Sequence, residues 1–216
     1  MTAPSDDPLS VIASLNEQGI FGLDHLRLWG HFNDLLREGL DRNVGAPFAI
    51  YLSATAHGYL ALVALRKLLD QHPRAAGIDY LLRVVEGAHD DLVRRMEDRD
   101  PVLRIDPCEL CRRLVDHRKL LAGLRERAQP ALKMVNQLVV HIDRAHVGDP
   151  DRRREFVEKA RVSRETLAGY FRAAQWIVNG WKYVWDCSES LWEASTNRDD
   201  FAGIRAALVA VRPPQP

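Results

Sequence analysis

Apolar residues recur at intervals of three and four along most of the chain. Between residues 24 and 40 the recurring apolar side chains are Leu28, Phe32, Leu35, Leu36 and Leu40. This spacing places them on one face of an α-helix. No run of alternating β-branched or aromatic residues bounded by turn signals predicts a strand. The pattern therefore predicts an all-α protein, a single bundle of about six to eight helices.

The apolar periodicity, together with the prolines and turn residues between the periodic stretches, sets the expected helix limits. The predicted helices cover about residues 8–18, 24–40, 47–71, 78–97, 106–129, 131–146, 151 or 163 to 193, and 199–211. Proline marks several of these limits: Pro8 opens the first helix, Pro73 follows the third, and Pro130 separates the fifth from the sixth. The third helix is apolar on most sides, so we expect it to be the most enclosed.

The domain organisation follows from chain length and from the two termini. A length of 216 residues fits one domain. We expect residues 1–20 to form an N-terminal helical extension, residues 21–212 to form the helical domain, and the proline-rich residues 213–216 to be a disordered tail.

The composition is typical of a soluble intracellular protein. Lys and Arg together number 30, Asp and Glu also number 30, and 46% of the residues are hydrophobic. Three cysteines cannot form a disulfide framework, and the acidic N-terminus is not a signal peptide. The best apolar run, residues 135–142, is shorter than the ~18 residues that span a membrane. We expect a cytoplasmic protein with no membrane partner.

Charge is unevenly distributed along the chain. From Arg112 to Arg164 there are 14 basic residues against 7 acidic ones. A basic region is a candidate surface for a polyanion, and the same pattern also fits solvated helix faces with internal ion pairs. Glycine-rich phosphate loops and nucleophile-elbow motifs do not occur in the sequence.

Two cysteines at the start of the fifth predicted helix are candidate metal ligands. Cys108 and Cys111 share a helix face, and His117 follows. The two thiols could hold zinc only with two more ligands, for which His141, Asp143 and His146 are candidates. Free cysteines on an apolar helix face are more often core residues. The sequence therefore predicts no metal and no cofactor.

The sixth predicted helix carries polar residues beside an apolar stripe. Asn136, His141, Asp143 and Arg144 lie in a segment that is otherwise rich in valine, leucine and isoleucine. A histidine in such a segment faces either a cleft or a neighbouring helix to which it is hydrogen-bonded. The spacing alone leaves both interpretations open.

The register of these residues resembles the HEPN superfamily, specifically its AbiU2-like branch of phage-defence proteins. That superfamily is marked by an arginine followed, a few residues later, by a histidine in a late helix. In the stretch Val135-Asn136-Gln-Leu-Val-Val-His141-Ile-Asp143, the asparagine, histidine and aspartate fall in register. Residues 62–70 and 78–82 also look like this branch.

The resemblance implies a HEPN-like homodimer that cuts RNA without a metal, with a cognate antitoxin as a possible partner. In such a site the histidine moves a proton, and the arginine stabilises charge on the attacked phosphate. Here Val135 replaces the arginine and can do neither. Arg144, one turn after His141, is the nearest substitute. The expected catalytic residues are therefore His141, Asn136, Asp143 and Arg144.

Three functional hypotheses remain open at this point. The first is a HEPN-type ribonuclease or RNA-binding toxin, and the second is a non-catalytic helical dimer that binds nucleotide, RNA or protein. The third is a regulatory or metal-sensing module that uses Cys108, Cys111 and His117. The aromatic residues of the last long helix, Trp176 and Trp181 among them, predict a core or dimer interface more readily than a base-stacking surface.

Overall fold

Seven helices make up most of the described part of the chain. The computed structural model describes residues 7–40, 47–73, 75–99, 104–135, 162–192 and 198–210. The helices are α1 (Pro8–Arg37), α2 (Pro47–Leu68), α3 (Ile78–Gly87), α4 (His89–Glu97), α5 (Pro107–Met134), α6 (Arg164–Asp186) and α7 (Arg198–Ala210). These residues contain no strand. The predicted all-α class is confirmed.

Helix α1 packs along α2, and α6 packs against both α1 and α5. Contacts between α1 and α2 join His25 to His57 and Gly22 to Ala64, so later residues of α1 meet earlier residues of α2 and the two helices are antiparallel. Helix α6 supplies the most continuous part of the core. Its buried residues are Leu167, Phe171, Ala174, Ile177, Val178, Trp181, Val184 and Trp185.

Helix α1 is continuous across a region where the sequence predicted a break. Its start is as predicted: the Asp7 side chain accepts a hydrogen bond from the Leu9 amide, and Pro8 occupies the first helical position. The glycines at 19 and 22 mark close helix contacts. A Cβ atom added at Gly22 would lie 2.4 Å from the Phe171 ring. The predicted domain boundary after residue 20 falls within this helix.

Other helix limits also differ from the expectation. The predicted helix over residues 78–97 is divided at Ala88, which has φ −96° and ψ 14°. Pro130 lies inside α5 instead of ending it. The fully buried residues Ala128 and Ala131 hold the helix against the core on both sides of this proline, which offsets its missing hydrogen bond. Helix α6 begins after its Ser163 cap, one of the two predicted starts.

Helix α2 is enclosed in its second half only. Leu65 and Leu68 are fully buried, whereas Phe48 is 70% exposed and Tyr51 is 56% exposed. The prediction that this helix is the most enclosed is therefore wrong for its first half. The stretch Phe48–Leu68 also reaches the length and hydropathy of a membrane span, with 28% of it buried, contrary to the expectation from sequence. Core helices of soluble proteins also reach this length and hydropathy, but they are mostly buried.

Candidate functional site

The residues predicted to be catalytic lie outside the described part of the chain. These are Asn136, His141, Asp143 and Arg144, and the last described residue before them is Val135. The Val135 side chain is fully buried in the hydrophobic core. The position of the motif arginine is therefore filled by a side chain that packs in the core and does not face solvent.

The candidate metal ligands are not brought together. Cys108 and Cys111 are exposed near the start of α5, and the sulfur of Cys111 lies 3.4 Å from Nε2 of His89. His117 is buried further along the same helix. Within the described ranges, no three His, Cys, Asp or Glu side chains are arranged so that they could hold a metal ion.

His117 is enclosed between α5 and α6 by two tryptophans. It is 2% exposed. Its ring centroid lies 4.8 Å from that of Trp176 and 5.6 Å from that of Trp181, and both contacts are edge-to-face. The Nδ1 atom of His117 has no hydrogen-bond partner among the described residues. A buried polar atom without a partner is energetically costly.

The charge state of this histidine follows from its surroundings. Burial lowers the pKa of His117 from 6.5 to about 4, the charge of Arg113 acts in the same direction, and Asp116 opposes both. An imidazole in an apolar environment loses the hydration that stabilises its charged form. His117 is therefore neutral at physiological pH, and its ring carries one N–H donor and one nitrogen acceptor.

A glycine allows this close approach of the two helices. A Cβ atom added at Gly180 of α6 would lie 2.7 Å from Cε1 of His117. The Gly180 carbonyl accepts a hydrogen bond from Nη1 of Arg113 at 3.2 Å. At this level α5 and α6 are therefore held together by two contacts. The His117 ring packs against the backbone of Gly180, and Arg113 donates a hydrogen bond to the Gly180 carbonyl.

A cavity of about 650 Å³ opens beside this histidine. We call it the His117 pocket. It is lined by Arg113, Asp116 and His117 from α5 and by Arg172, Trp176 and Tyr183 from α6, among others. The volume is within the range of small-molecule sites.

The chain after α6 forms one side of the His117 pocket. Cys187 adopts a left-handed conformation (φ 59°) that ends the helix. The side-chain amides of Gln175 and Asn179 then both donate to the Ser190 carbonyl, at 2.9 and 2.8 Å, and the Ser190 amide donates to Asn179 Oδ1. Glu189 and Leu191 line the pocket from this segment. Hydrogen bonds therefore hold this side of the pocket in place.

The sequence pointed to some of these residues for a different reason. His117 was noticed as a possible zinc ligand, and Trp176 was assigned to a core or an interface. The structure leaves Trp176 60% exposed at the pocket and buries Trp181. Gly180 is a glycine within α6, and a glycine in a helix can indicate that another element packs closely there. Nothing in the sequence identifies that element as the His117 ring.

A second group of histidines lies between α1 and α2. The Nδ1 atoms of His25 and His57 are 2.8 Å apart, and their rings are stacked with centroids at 5.0 Å. The ring of Phe32 stacks on the ring of His57, with the two centroids 5.5 Å apart. Burial lowers the pKa of both histidines, and the charge of His25 lowers that of His57 further.

Comparison with known proteins gave no relative for this chain. No family model matches it, and neither the curated proteins nor the solved structures contain a similar protein. The likeness to the AbiU2-like branch rests on the residues quoted above.

Proposed function

We propose that the chain is a HEPN AbiU2-like helical protein that binds RNA within a phage-defence or toxin–antitoxin system. In this proposal it acts in the cytoplasm as a homodimer, needs no metal or cofactor, and is regulated by a cognate antitoxin. The observation that carries RNA binding is a set of unpaired basic side chains on α5, the helix that leads into the motif segment.

Three exposed basic side chains on α5 have no carboxylate partner in the described part of the chain. Lys119, Arg127 and Lys133 are all exposed, and they lie within a sector of about 120° on a helix with 3.6 residues per turn. By contrast, Arg112 and Arg118 on the same helix each form an ion pair with a glutamate. Unpaired cations in a row attract a phosphate backbone.

Two of the segments that carry the family resemblance, residues 62–70 and 78–82, contact α5. The guanidinium of Arg125 donates to the carbonyls of Leu69 and Asp70, at 2.9 and 3.2 Å, and reaches the Asp79 carboxylate at 3.3 Å. One α5 side chain thus joins the end of the 62–70 segment to the start of α3.

In this proposal the protein binds RNA but has no arginine–histidine pair with which to cleave it. Val135 is sealed in the core, so the position of the motif arginine offers no cation to a phosphate. In the proposal His141, with Asn136, Asp143 and Arg144, contacts the RNA. Expression of the wild type and of His141→Ala should leave cellular RNA equally intact. Degradation of RNA by the wild type alone would show that cleavage survives.

RNA binding is tested by anisotropy of a labelled single-stranded RNA over a range of salt concentrations. The wild type should bind with a steep salt dependence. The triple variant Lys119→Gln, Arg127→Gln, Lys133→Gln should lose affinity, and its log–log salt slope should become shallower by about 2, because each single-strand phosphate contact contributes about 0.7.

A matched control removes the same number of charges elsewhere. Arg37, Arg94 and Arg205 are exposed and ion-paired, so their replacement by Gln should leave the salt slope unchanged. Equal losses in the two triple variants would show only a dependence on net charge. Absence of RNA binding by the wild type would remove the proposal.

A second candidate function, a helical dimerisation module, is favoured by the exposed apolar face of α2. Phe48, Tyr51 and Leu52 are all about half exposed or more. Sedimentation equilibrium should show a dimer for the wild type and for the control Val209→Arg, which alters an exposed residue of α7. If α2 forms the interface, Leu52→Arg should give a monomer with unchanged helicity.

A further inference from the structure

The His117 pocket has the features of a site for a planar, hydrogen-bonding ring. Its cavity of about 650 Å³ holds a buried imidazole with an unpartnered nitrogen. Around this imidazole the lining also carries guanidinium, carboxylate and amide groups, so the walls of the cavity offer both hydrogen-bond donors and acceptors.

Two aromatic side chains supply stacking surfaces at the same cavity. Trp176 is 60% exposed and Tyr183 is 38% exposed, and both line the pocket. The edge-to-face contact with His117 orients the Trp176 ring. An oriented, exposed aromatic ring can stack with a flat ligand such as a nucleobase.

The charges around the pocket favour a neutral ring over a free anion. The guanidinium groups of Arg113 and Arg172 are offset by the carboxylates of Glu109, Asp116 and Glu189. A phosphate or carboxylate placed inside would meet three like charges and only two opposite ones. A nucleobase is uncharged, and its edge carries both donors and acceptors, which suit carboxylate and guanidinium groups together.

We propose that the His117 pocket binds one unstacked nucleobase of a single-stranded RNA, stacked on Trp176 and hydrogen-bonded to its polar walls. This inference rests on the proposed RNA-binding function and places one contact of that function at the interface of α5 and α6. The phosphates next to the bound base stay outside the cavity, near the exposed Arg172. Recognition of splayed bases on aromatic side chains is the usual way in which proteins read single-stranded RNA.

The experiment compares affinities for a labelled single-stranded RNA of about ten nucleotides, which covers one typical binding site. Trp176→Ala should weaken binding about tenfold, because it removes one stacked base. Trp176→Phe should restore most of the affinity, since a ring is again present. Phe21→Ala, which removes an exposed aromatic ring on α1, should bind as the wild type does.

A duplex made from the same RNA and its complement forms the second arm, and it should bind more weakly than the single strand, because paired bases cannot enter the cavity. Equal affinities of the wild type and Trp176→Ala for the single strand would overturn the pocket assignment and leave the proposed RNA-binding function intact. Equal binding of single strand and duplex would also overturn it. Failure of the wild type to bind any RNA would overturn the proposed function itself.

Discussion

Histidines at two helix interfaces are accommodated in different ways. His117, between α5 and α6, is sealed by tryptophans, and its Nδ1 has no hydrogen-bond partner in the described part of the chain. His25 and His57, between α1 and α2, are only partly buried and are hydrogen-bonded to each other. The first histidine is neutral because it is desolvated. His25 and His57 share one proton between their Nδ1 atoms, because one Nδ1 donates and the other accepts.

The comparison shows where a pocket can form. The Nδ1 atoms of His25 and His57 satisfy each other, so this contact needs no ligand. The isolated His117 leaves a polar atom unsatisfied beside a cavity. Of the four predictions that follow, the first three test this difference and the fourth tests the exposed first half of α2, beginning with the largest expected effect.

The stability of the wild type should fall by about 2.5 kcal/mol between about pH 7.5 and pH 4.5 because of His117 alone. The folded pKa of about 4 lies below the unfolded value of 6.5. The stabilising contribution is therefore complete above pH 6.5 and is lost as the pH falls toward 4. His117→Phe, measured by urea unfolding at both pH values, should lack this part of the decrease. An identical decrease in both proteins would mean that His117 is hydrated.

Gly180→Ala should destabilise the protein by about 2 kcal/mol, because overpacking at a tight contact forces the two helices apart. Its new Cβ would lie 2.7 Å from the His117 ring. The control is Gly123→Ala on α5, where the nearest atom is the flexible end of Arg127 at 3.4 Å. That change should stabilise the helix by about 0.5–1 kcal/mol. Urea unfolding of both variants separates the steric effect from helix propensity.

The coupling energy between His25 and His57 should be about 1 kcal/mol at neutral pH, the value of one ordinary hydrogen bond. A double-mutant cycle with His25→Ala and His57→Ala measures it by urea unfolding. Burial lowers the pKa of both rings, so this contribution is present above the unfolded pKa. It should vanish as the pH falls through the lowered folded pKa values, because two protonated rings repel. A coupling that persists in acid would contradict the shared proton.

Tyr51→Ser should change the free energy of unfolding by no more than about 0.5 kcal/mol, as expected for a surface position. The side chain is 56% exposed on the first half of α2. Thermal unfolding of the isolated chain at low concentration measures this effect. A large destabilisation that depends on protein concentration would instead place Tyr51 in an intersubunit contact.

Helix starts were predictable because their chemistry is local. Asp7 and Asp106 are each followed by a proline, and each caps a helix. In both caps the carboxylate accepts a hydrogen bond from the backbone amide two residues later. The Ser163 cap was among the predicted starts for the same reason. The absence of alternating β-branched or aromatic runs is also a local feature, and so the all-α class follows from sequence.

Helix continuity was less predictable, because the same residue has different effects in different surroundings. Residues 19–23 separate two predicted helices, yet within this stretch Trp192 and Phe171 pack closely against Gly19 and Gly22 of a continuous α1. Pro130 read as a helix end, yet core packing on both sides keeps α5 intact. Local propensity is outweighed where a neighbouring helix supplies enough contacts.

By itself, the sequence determined the helical class, the capped helix starts and a basic region along α5, since each depends on residues that are close together in the chain. It also gave the candidate residues His141, Asn136, Asp143 and Arg144, which remain a prediction. Only the tertiary structure decided that His117 is neutral and lies beside a cavity. That outcome depends on Gly180 and Trp176, which come from a helix far away in sequence, and burial by a distant helix leaves no local pattern.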